Sequence, residues 1–196
     1  MPTKPRILAF AGSTRSDSLN KKLVRVAATG AAAAGADVTV IDLRDYPLAL
    51  YDGDDETRAG LTEHAKKLKQ LFLNHDGLLI ASPEYNGGMS AVLKNAIDWV
   101  SRPASSDEPG LACFRGKVAV IMSASPGGVG GIRGLAQLRS VLSHIQILVL
   151  PEQIALPLAH EAFNAEGTLK EAKRQAAVEN LGSTLSKTLA KLTSQV

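Results

Sequence analysis

The segment GSTRSDSLN, residues 12–20, places hydroxyl, guanidinium and amide side chains directly after a short apolar run. If a helix begins here, its first backbone N–H groups have no intrahelical partner and favour an anion. Arg15 can neutralise a phosphate through paired donors, and Ser13, Ser18 and Asn20 can add neutral donors. We interpret the segment as a binding site for a phosphate monoester.

The same segment lacks the two common nucleotide-binding signatures. Gly12 is its only glycine, so the G-x-G-x-x-G pattern of dinucleotide-binding loops is absent. Residues 110–118, GLACFRGKV, approach a P-loop, but the spacing is one residue too long and Val118 replaces the Ser/Thr. A simple helix cap stays open as the alternative, and Asp17 would oppose a phosphate unless it faces away.

A second polar segment, SPEYNGG at residues 82–88, follows another apolar run. Pro83 stiffens the exit from the strand, and the glycine pair 87–88 permits positive φ and a close approach to the backbone. Tyr85 and Asn86 add an aromatic face and an amide edge. These residue types favour a flat ligand lying against the main chain, and an ordinary turn is the open alternative.

A third segment, SASPGGVGGIRG at residues 123–134, holds five glycines within the eight positions 127–134. Glycines cost backbone entropy, which suggests that side chains here would obstruct a ligand or a neighbouring subunit. A mobile surface loop is the open alternative. A serine hydrolase that uses Ser125 with His144 or His160 is disfavoured because G-x-S-x-G is missing.

Short apolar strands that alternate with helices must position these three segments. Most of the strands lack polar alternation, which indicates a parallel sheet buried on both faces, and only the second strand has the polar residues of an edge. The predicted strands are Arg6 to Ala11, Ala36 to Leu43, Gly77 to Ser82, Lys117 to Ser123 and Gln146 to Leu150.

Apolar residues spaced by three and four predict five helices between and after these strands. Five such units joined by right-handed crossovers give a flavodoxin-like sheet or half of a Rossmann sheet, and both place a ligand at the carboxyl ends of the strands. Residues 52–56 and 151–165 are predicted loops. The helical stripes are Leu19 to Ala31, Leu61 to Phe72, Val92 to Val100, Leu135 to Leu142 and Leu181 to Leu192.

Length, charge and cysteine content limit the class of protein. The chain has 196 residues, a net charge of +3 and 45% hydrophobic residues, which predicts one domain, 1–196, and no nucleic-acid partner. The single cysteine, Cys113, excludes a disulfide framework and a Cys-rich metal cage. No apolar stretch approaches the roughly 18 to 20 residues that cross a bilayer. We expect a cytoplasmic protein without a metal or membrane site.

Three segments in consistent order resemble the NADPH-dependent FMN reductase family, which includes bacterial quinone and chromate reductases. They are GSTRSDSLN, SPEYNGGMSAVLKNAIDWVSRP and SASPGG. The similarity runs from about residue 6 to residue 150, and PEYNG…LKNAIDW is its most specific part. The resemblance implies an α/β protein with a three-layer α/β/α flavodoxin-like fold. It also implies a five-stranded parallel sheet in the order 2-1-3-4-5 and non-covalent FMN.

The resemblance further implies which residues bind the cofactor. The first segment would hold the phosphate, the second would line the isoalloxazine, and the third would complete the pocket. The implied residues are Ser13, Arg15, Ser18, Leu19, Asn20, Pro83, Glu84, Tyr85, Asn86, Gly87, Ser125, Gly127 and Gly128.

The implied reaction is hydride transfer from NADPH or NADH to FMN, then transfer of two electrons to an acceptor, without a catalytic acid or base. The acceptor would be a quinone, a flavin, an azo compound or a metal oxyanion. Family members commonly form a homodimer or homotetramer. A flavodoxin-type electron carrier and a non-catalytic flavin-binding module stay open as alternatives on the same fold.

Overall fold

A five-stranded parallel sheet is the centre of the fold in residues 4–193, the part of the chain that the computed structural model describes. The ends of the predicted domain 1–196 lie outside that range. The strands are Arg6–Ala11 (β1), Asp37–Asp42 (β2), Gly77–Ala81 (β3), Glu84–Tyr85 (β4), Gly88–Met89 (β5), Val118–Ala124 (β6) and Leu148–Leu156 (β7). The sheet has the order β2-β1-β3-β6-β7, while β4 and β5 pair as an antiparallel hairpin. The predicted order of the five main strands is confirmed.

Helices cover both faces of this sheet. They are Leu19–Ala33 (α1), Gly53–Ala59 (α2), Glu63–Leu73 (α3), Ala91–Val100 (α4), Ile132–His144 (α5), Ala159–Ala162 (α6) and Ala172–Thr193 (α7), with a short 3-10 helix at Leu43–Asp45. The apolar residues of α1 and α7 pack in one core layer, and those of α3, α4 and α5 pack in the other. The three-layer α/β/α arrangement is therefore confirmed.

Alternate side chains of the central strands enter opposite core layers. In β3, Leu78 and Ile80 pack with α3, α4 and α5, whereas Leu79 and Ala81 pack with α1 and α7. Every residue of β3 is buried, which explains why its sequence shows no polar alternation. The partly exposed β2 forms one edge, as predicted. β7 forms the other edge, which agrees with the predicted strand order.

β7 continues six residues beyond the predicted end at Leu150, through residues predicted to form a loop. Pro151 has no N–H to donate, which favoured the earlier end. A local irregularity accommodates it, because residues 149–153 of β7 lie opposite only residues 119–121 of β6. The strand then resumes and reaches the carboxyl edge of the sheet.

The acidic residues 52–56, predicted as a loop, instead begin helix α2. The Asp52 side chain accepts a hydrogen bond from the Asp54 N–H at 2.8 Å. Asp54, Asp55 and Glu56 occupy the first turn, where the positive end of the helix dipole favours carboxylates. No residue of α2 is buried, so the apolar spacing that predicts a helix was absent.

α1 and α7 approach each other through one glycine on each helix. A Cβ atom on Gly30 would lie 1.9 Å from the carbonyl oxygen of Glu179. A Cβ atom on Gly182 would lie 1.9 Å from the carbonyl oxygen of Ala27. The two backbones can be this close only because neither position carries a side chain.

Cys113 is buried beside the end of α4, where its Sγ lies 3.1 Å from the carbonyl oxygen of Val100. Burial raises the pKa of the thiol to about 11. The thiol is therefore protonated at neutral pH and fills space in the core.

Candidate functional site

The three polar segments meet at the carboxyl edge of the sheet, following β1, β3 and β6. They line a cleft with a volume of about 210 Å³. Its lining residues are Ser13, Arg15, Ser18, Leu19, Asn20, Pro83, Glu84, Tyr85, Ala124, Ser125 and Pro126. The other members of the predicted set lie in the adjoining turn and loop and do not line the cleft: Asn86, Gly87, Gly127 and Gly128.

The first segment leads into α1, and some N–H groups of its first turn have no partner among residues 4–193. Ser18 precedes the helix, and its Oγ accepts a hydrogen bond from the Lys21 N–H at 3.4 Å. Within residues 4–193, the N–H groups of Leu19 and Asn20 have no hydrogen-bond partner. Unsatisfied donors at the positive end of a 15-residue helix favour an anion.

The charged residues of this segment favour the same ligand. Arg15 lines the cleft, and its guanidinium forms no hydrogen bond or ion pair within the described chain. The Asp17 side chain is 79% exposed and pairs with Lys22 at 2.5 Å. The hydrogen bond and charge of Lys22 lower the pKa of Asp17. Because Lys22 neutralises this carboxylate, its opposition to a bound anion is reduced.

Asn20 joins the first segment to the end of β6. Its Nδ2 donates to the carbonyl oxygen of Ala124 at 2.9 Å, and its Oδ1 accepts from the Ala124 N–H at 2.9 Å. The residue is 3% exposed. At most one amide hydrogen remains for the phosphate-binding role that the sequence suggested, and the side chain fixes the separation of the two cleft walls.

The second segment forms the hairpin β4-β5. Asn86 and Gly87 make its two-residue turn with φ values of 52° and 80°, the left-handed pair that a type I′ turn requires. The sequence indicated positive φ at the glycine pair 87–88. The structure has it at Gly87 and at Asn86, but not at Gly88. Gly88 packs closely, since a Cβ there would lie 2.7 Å from Gln137 Oε1. Tyr85 lines the cleft and is 55% exposed.

Glu84 connects the hairpin to the start of α5. Its Oε2 accepts from the Gly134 N–H at 2.9 Å, and its Oε1 accepts from Arg133 Nε at 3.1 Å. The hydrogen bond from Gly134, together with the charge of Arg133, holds the pKa of Glu84 below its usual range despite burial. Gly131 is the residue before α5 and has no side chain to cap the helix. The Glu84 carboxylate of the hairpin supplies the cap.

We expect Glu84→Gln to lower the free energy of unfolding by about 1 kcal/mol at neutral pH, because an amide is a weaker acceptor at a helix N-terminus. The folded pKa of Glu84 is depressed, so the wild-type advantage exists above the ordinary carboxyl pKa of about 4.3 and is lost as the pH falls through the lower folded value. Urea unfolding at pH values above and below this window measures the difference.

Asp98→Asn is the matched control for this variant. It removes a carboxylate from a partly exposed pair with Lys94 on α4, which contributes little to stability. An equal difference between wild type and Glu84→Gln at both pH values would contradict the capping role.

The third segment is anchored to the end of β7. The Ser125 N–H donates to the carbonyl oxygen of Leu156 at 3.1 Å, and the Ser125 carbonyl accepts from the Ala159 N–H at 3.0 Å. Gly128 lies in open space, since a Cβ there would meet nothing within 4 Å. Its N–H has no partner within the described residues. This backbone is accessible to a ligand.

Two other glycines of the third segment are required by the chain itself. A Cβ on Gly130 would lie 2.7 Å from the carbonyl carbon of Ala155, and one on Gly131 would lie 2.1 Å from Ser123 Oγ. Both glycines have positive φ, 66° and 86°. At these two positions, the side chain would obstruct the chain's own strands and not a ligand or a neighbouring subunit.

Arg44 contacts the first segment beside the cleft, and no sequence pattern predicts this contact. From the 3-10 helix after β2, its Nε donates to the carbonyl oxygen of Thr14 at 2.9 Å, and one terminal nitrogen contacts the same oxygen. That terminal nitrogen also lies 3.1 Å from Ser16 Oγ. A lone arginine after an edge strand carries no motif that would have indicated this contact.

Residues 4–193 contain neither a metal-binding cluster nor a membrane-spanning helix. No group of three or more His, Cys, Asp or Glu side chains within 4–193 is arranged to hold a metal ion. None of the helices in that range combines the length and the apolar character needed to cross a bilayer.

The parallel sheet with its order β2-β1-β3-β6-β7, followed after β1 by a polar segment that leads into a helix, defines a flavodoxin-like fold. The NADPH-dependent FMN reductase family matches residues 5–161, and the chain belongs to this family. It is a flavin-dependent oxidoreductase that takes its electrons from NAD(P)H. The family resemblance of the three polar segments is confirmed.

Curated relatives and a solved structure agree with this membership. The chain is 33% identical to an NAD(P)H-dependent FMN reductase of Pseudomonas aeruginosa over 89% of each chain. It is 35% identical to a 2-hydroxy-1,4-benzoquinone reductase of Burkholderia over 80% of this chain and 79% of the relative. The flavoenzyme NAD(P)H:(acceptor) oxidoreductase of Paracoccus denitrificans superposes with a TM-score of 0.79 at 28% identity, covering 96% of this chain and 98% of that one.

Proposed function

We propose that this chain binds FMN non-covalently in the cleft, with the phosphate at the start of α1. The proposal rests on one coincidence: the unpaired guanidinium of Arg15 accompanies the unpaired N–H groups of Leu19 and Asn20. A phosphate monoester needs several donors and a balancing positive charge. The hydroxyls of Ser13 and Ser18 line the same cleft. The donor set therefore fits FMN.

The other two segments are proposed to hold the ring of the flavin. The open backbone at Gly128 supports this proposal because a planar group can approach it closely. The free N–H of Gly128 is available to stabilise negative charge on the bound ring. The proposed ring-contacting residues are Pro83, Glu84, Tyr85, Asn86, Gly87, Ser125, Gly127 and Gly128.

Bound FMN supplies the capacity to accept a hydride from a nicotinamide and to pass two electrons to an acceptor. The residues of this chain bind and orient the cofactor, and we propose no catalytic acid or base among them. We propose a quinone as the acceptor, which the quinone reductases among the relatives support. Flavin, azo and metal-oxyanion acceptors are further candidates, with either NADPH or NADH as the donor.

We also propose that 1–196 acts as one FMN-binding domain in the cytoplasm and assembles as a homodimer or homotetramer. Exposed apolar side chains near the cleft support assembly: Tyr85 and Val129 are each 55% exposed, and Leu158 is 50% exposed. Apolar groups of this kind, when clustered, commonly mark an interface with a protein partner.

A spectroscopic titration tests the proposed reaction. Added FMN is expected to show a shifted visible flavin band when the protein is present. NADPH or NADH, added without oxygen, should bleach this band, and benzoquinone should restore it. Riboflavin, which lacks the phosphate, is the matched ligand and should bind more weakly.

The other outcomes of this titration are equally informative. If FMN does not bind, the proposed cofactor site is wrong. If FMN binds but neither nucleotide bleaches it, the chain is a flavodoxin-type carrier or a non-catalytic flavin-binding module, and the proposed reaction is wrong.

A further inference from the structure

Arg44 reaches from the β2 edge of the sheet into the segment that follows β1. Two of its nitrogens donate to one acceptor, the carbonyl oxygen of Thr14, with Nε at 2.9 Å. A third contact joins a terminal nitrogen to Ser16 Oγ at 3.1 Å. A fork of this kind fixes a carbonyl in both position and direction, which a single donor cannot do.

The backbone of Arg44 is itself held by a hydrogen bond to Asp42. The Asp42 Oδ1 atom accepts from the Arg44 N–H at 3.0 Å and caps the 3-10 helix. The other oxygen of Asp42 lies 2.5 Å from Nζ of Lys21, a residue of α1 that is 6% exposed. A continuous series of polar contacts therefore runs from α1 through the end of β2 to the backbone of the first segment, residues 12–20.

The Thr14 carbonyl belongs to the peptide unit that joins Thr14 to Arg15. The N–H of that planar unit, on Arg15, lies 3.3 Å from Ser13 Oγ, while its carbonyl contacts Arg44. Both ends of one peptide are thus fixed, and its carbonyl oxygen is occupied by cationic donors. A carbonyl free to rotate toward a bound phosphate would repel it. The same peptide sets the position from which the Arg15 side chain extends.

We propose that Arg44 is a positioning residue for the phosphate of the cofactor. It holds the Thr14 carbonyl, and through that peptide it sets the position from which the Arg15 side chain extends. This inference rests on the proposed FMN site. It assigns Arg44 no contact with the ligand, so its effect passes through the backbone of the phosphate segment.

The variants Arg44→Lys and Arg44→Ala test the proposal, with FMN and riboflavin as paired ligands. We expect Arg44→Ala to weaken FMN binding roughly ten-fold and Arg44→Lys to recover little of the loss, because lysine keeps the charge but not the fork. Riboflavin binding should change less than about two-fold, because it has no phosphate. Arg58→Ala, which removes an exposed arginine from α2, is the charge-matched control and should bind FMN as the wild type does.

Three results would overturn the inference. Wild-type FMN affinity in Arg44→Lys would mean that only the charge matters. An equal loss of FMN and riboflavin affinity would indicate a general structural role. A third measurement uses the double variant Arg15→Ala with Arg44→Ala. Removal of Arg44 should lower the FMN affinity of this variant little further, because Arg15 is already absent. A full additional loss of FMN affinity would also contradict the inference. If the wild type binds FMN and riboflavin equally, the phosphate site itself fails, which separates the two proposals.

Discussion

Replacing Arg15 by alanine is expected to weaken FMN binding roughly 10- to 100-fold and to leave riboflavin binding almost unchanged. The range follows from the loss of a charge-assisted pair of about 1.5 to 3 kcal/mol. Because the Arg15 guanidinium forms no hydrogen bond or ion pair within the described chain, its removal breaks neither kind of bond in the folded protein. Stability should therefore change little. Fluorescence titration with both flavins measures the effect, and thermal unfolding measures stability.

Arg25→Ala is the control for this prediction. Arg25 is an exposed residue of α1, the helix that follows Arg15, and its removal changes the net charge equally. If Arg25→Ala weakens FMN binding as much as Arg15→Ala, the phosphate responds to the overall charge of the protein. A fall in riboflavin affinity equal to that of FMN would mean that Arg15 holds the ring and not the phosphate.

The second large effect concerns stability, for the variant Gly182→Ala. Alanine is favoured over glycine inside a helix by about 1 kcal/mol, so helix propensity alone predicts stabilisation. The new Cβ would lie 1.9 Å from the Ala27 carbonyl oxygen and 2.7 Å from the Ala31 nitrogen, so α1 and α7 must separate. Overpacking against backbone outweighs the gain, and we expect a net loss of at least about 2 kcal/mol.

Urea unfolding and the thermal midpoint measure this loss, which should lower the midpoint by roughly 5 °C or more for a chain of this size. Gly53→Ala on α2 is the matched control, because the nearest atom to a Cβ there lies 3.8 Å away. This control should be neutral or slightly stabilising. Stabilisation of Gly182→Ala would show that the two helices can move apart at no cost.

The central sheet was predictable because β1, β3 and β6 are buried on both faces and their sequences are continuous apolar runs. The elements that were missed lack that signal. The strands β4 and β5 have only two residues each, too few to show a period. α2 buries none of its residues, and β7 passes a proline by means of an irregular pairing. In each case local chemistry or tertiary pairing decided the structure, and the apolar pattern did not.

The cleft was predictable in its location and in most of its residues, because parallel strands bring their carboxyl ends to one edge. The connections among its walls were not predictable. Glu84 caps a helix that begins almost fifty residues later, and Arg44 binds a carbonyl thirty residues earlier. Contacts over such separations depend on the fold as a whole, and each involves a residue type that is common on any surface.

The double hydrogen bond between Asn20 and the Ala124 peptide has a consequence for how fast the cofactor enters. Ala124 is the last residue of β6, and the pairing has the two hydrogen bonds of a sheet ladder with a side chain in place of a neighbouring backbone. The cleft walls formed by the first and third segments are thereby held at a fixed separation before any ligand arrives. The conformational entropy of ordering them is lost when the protein folds and not when it binds. Association should then be a single encounter step limited by diffusion and electrostatic attraction, with no slower phase of loop closure.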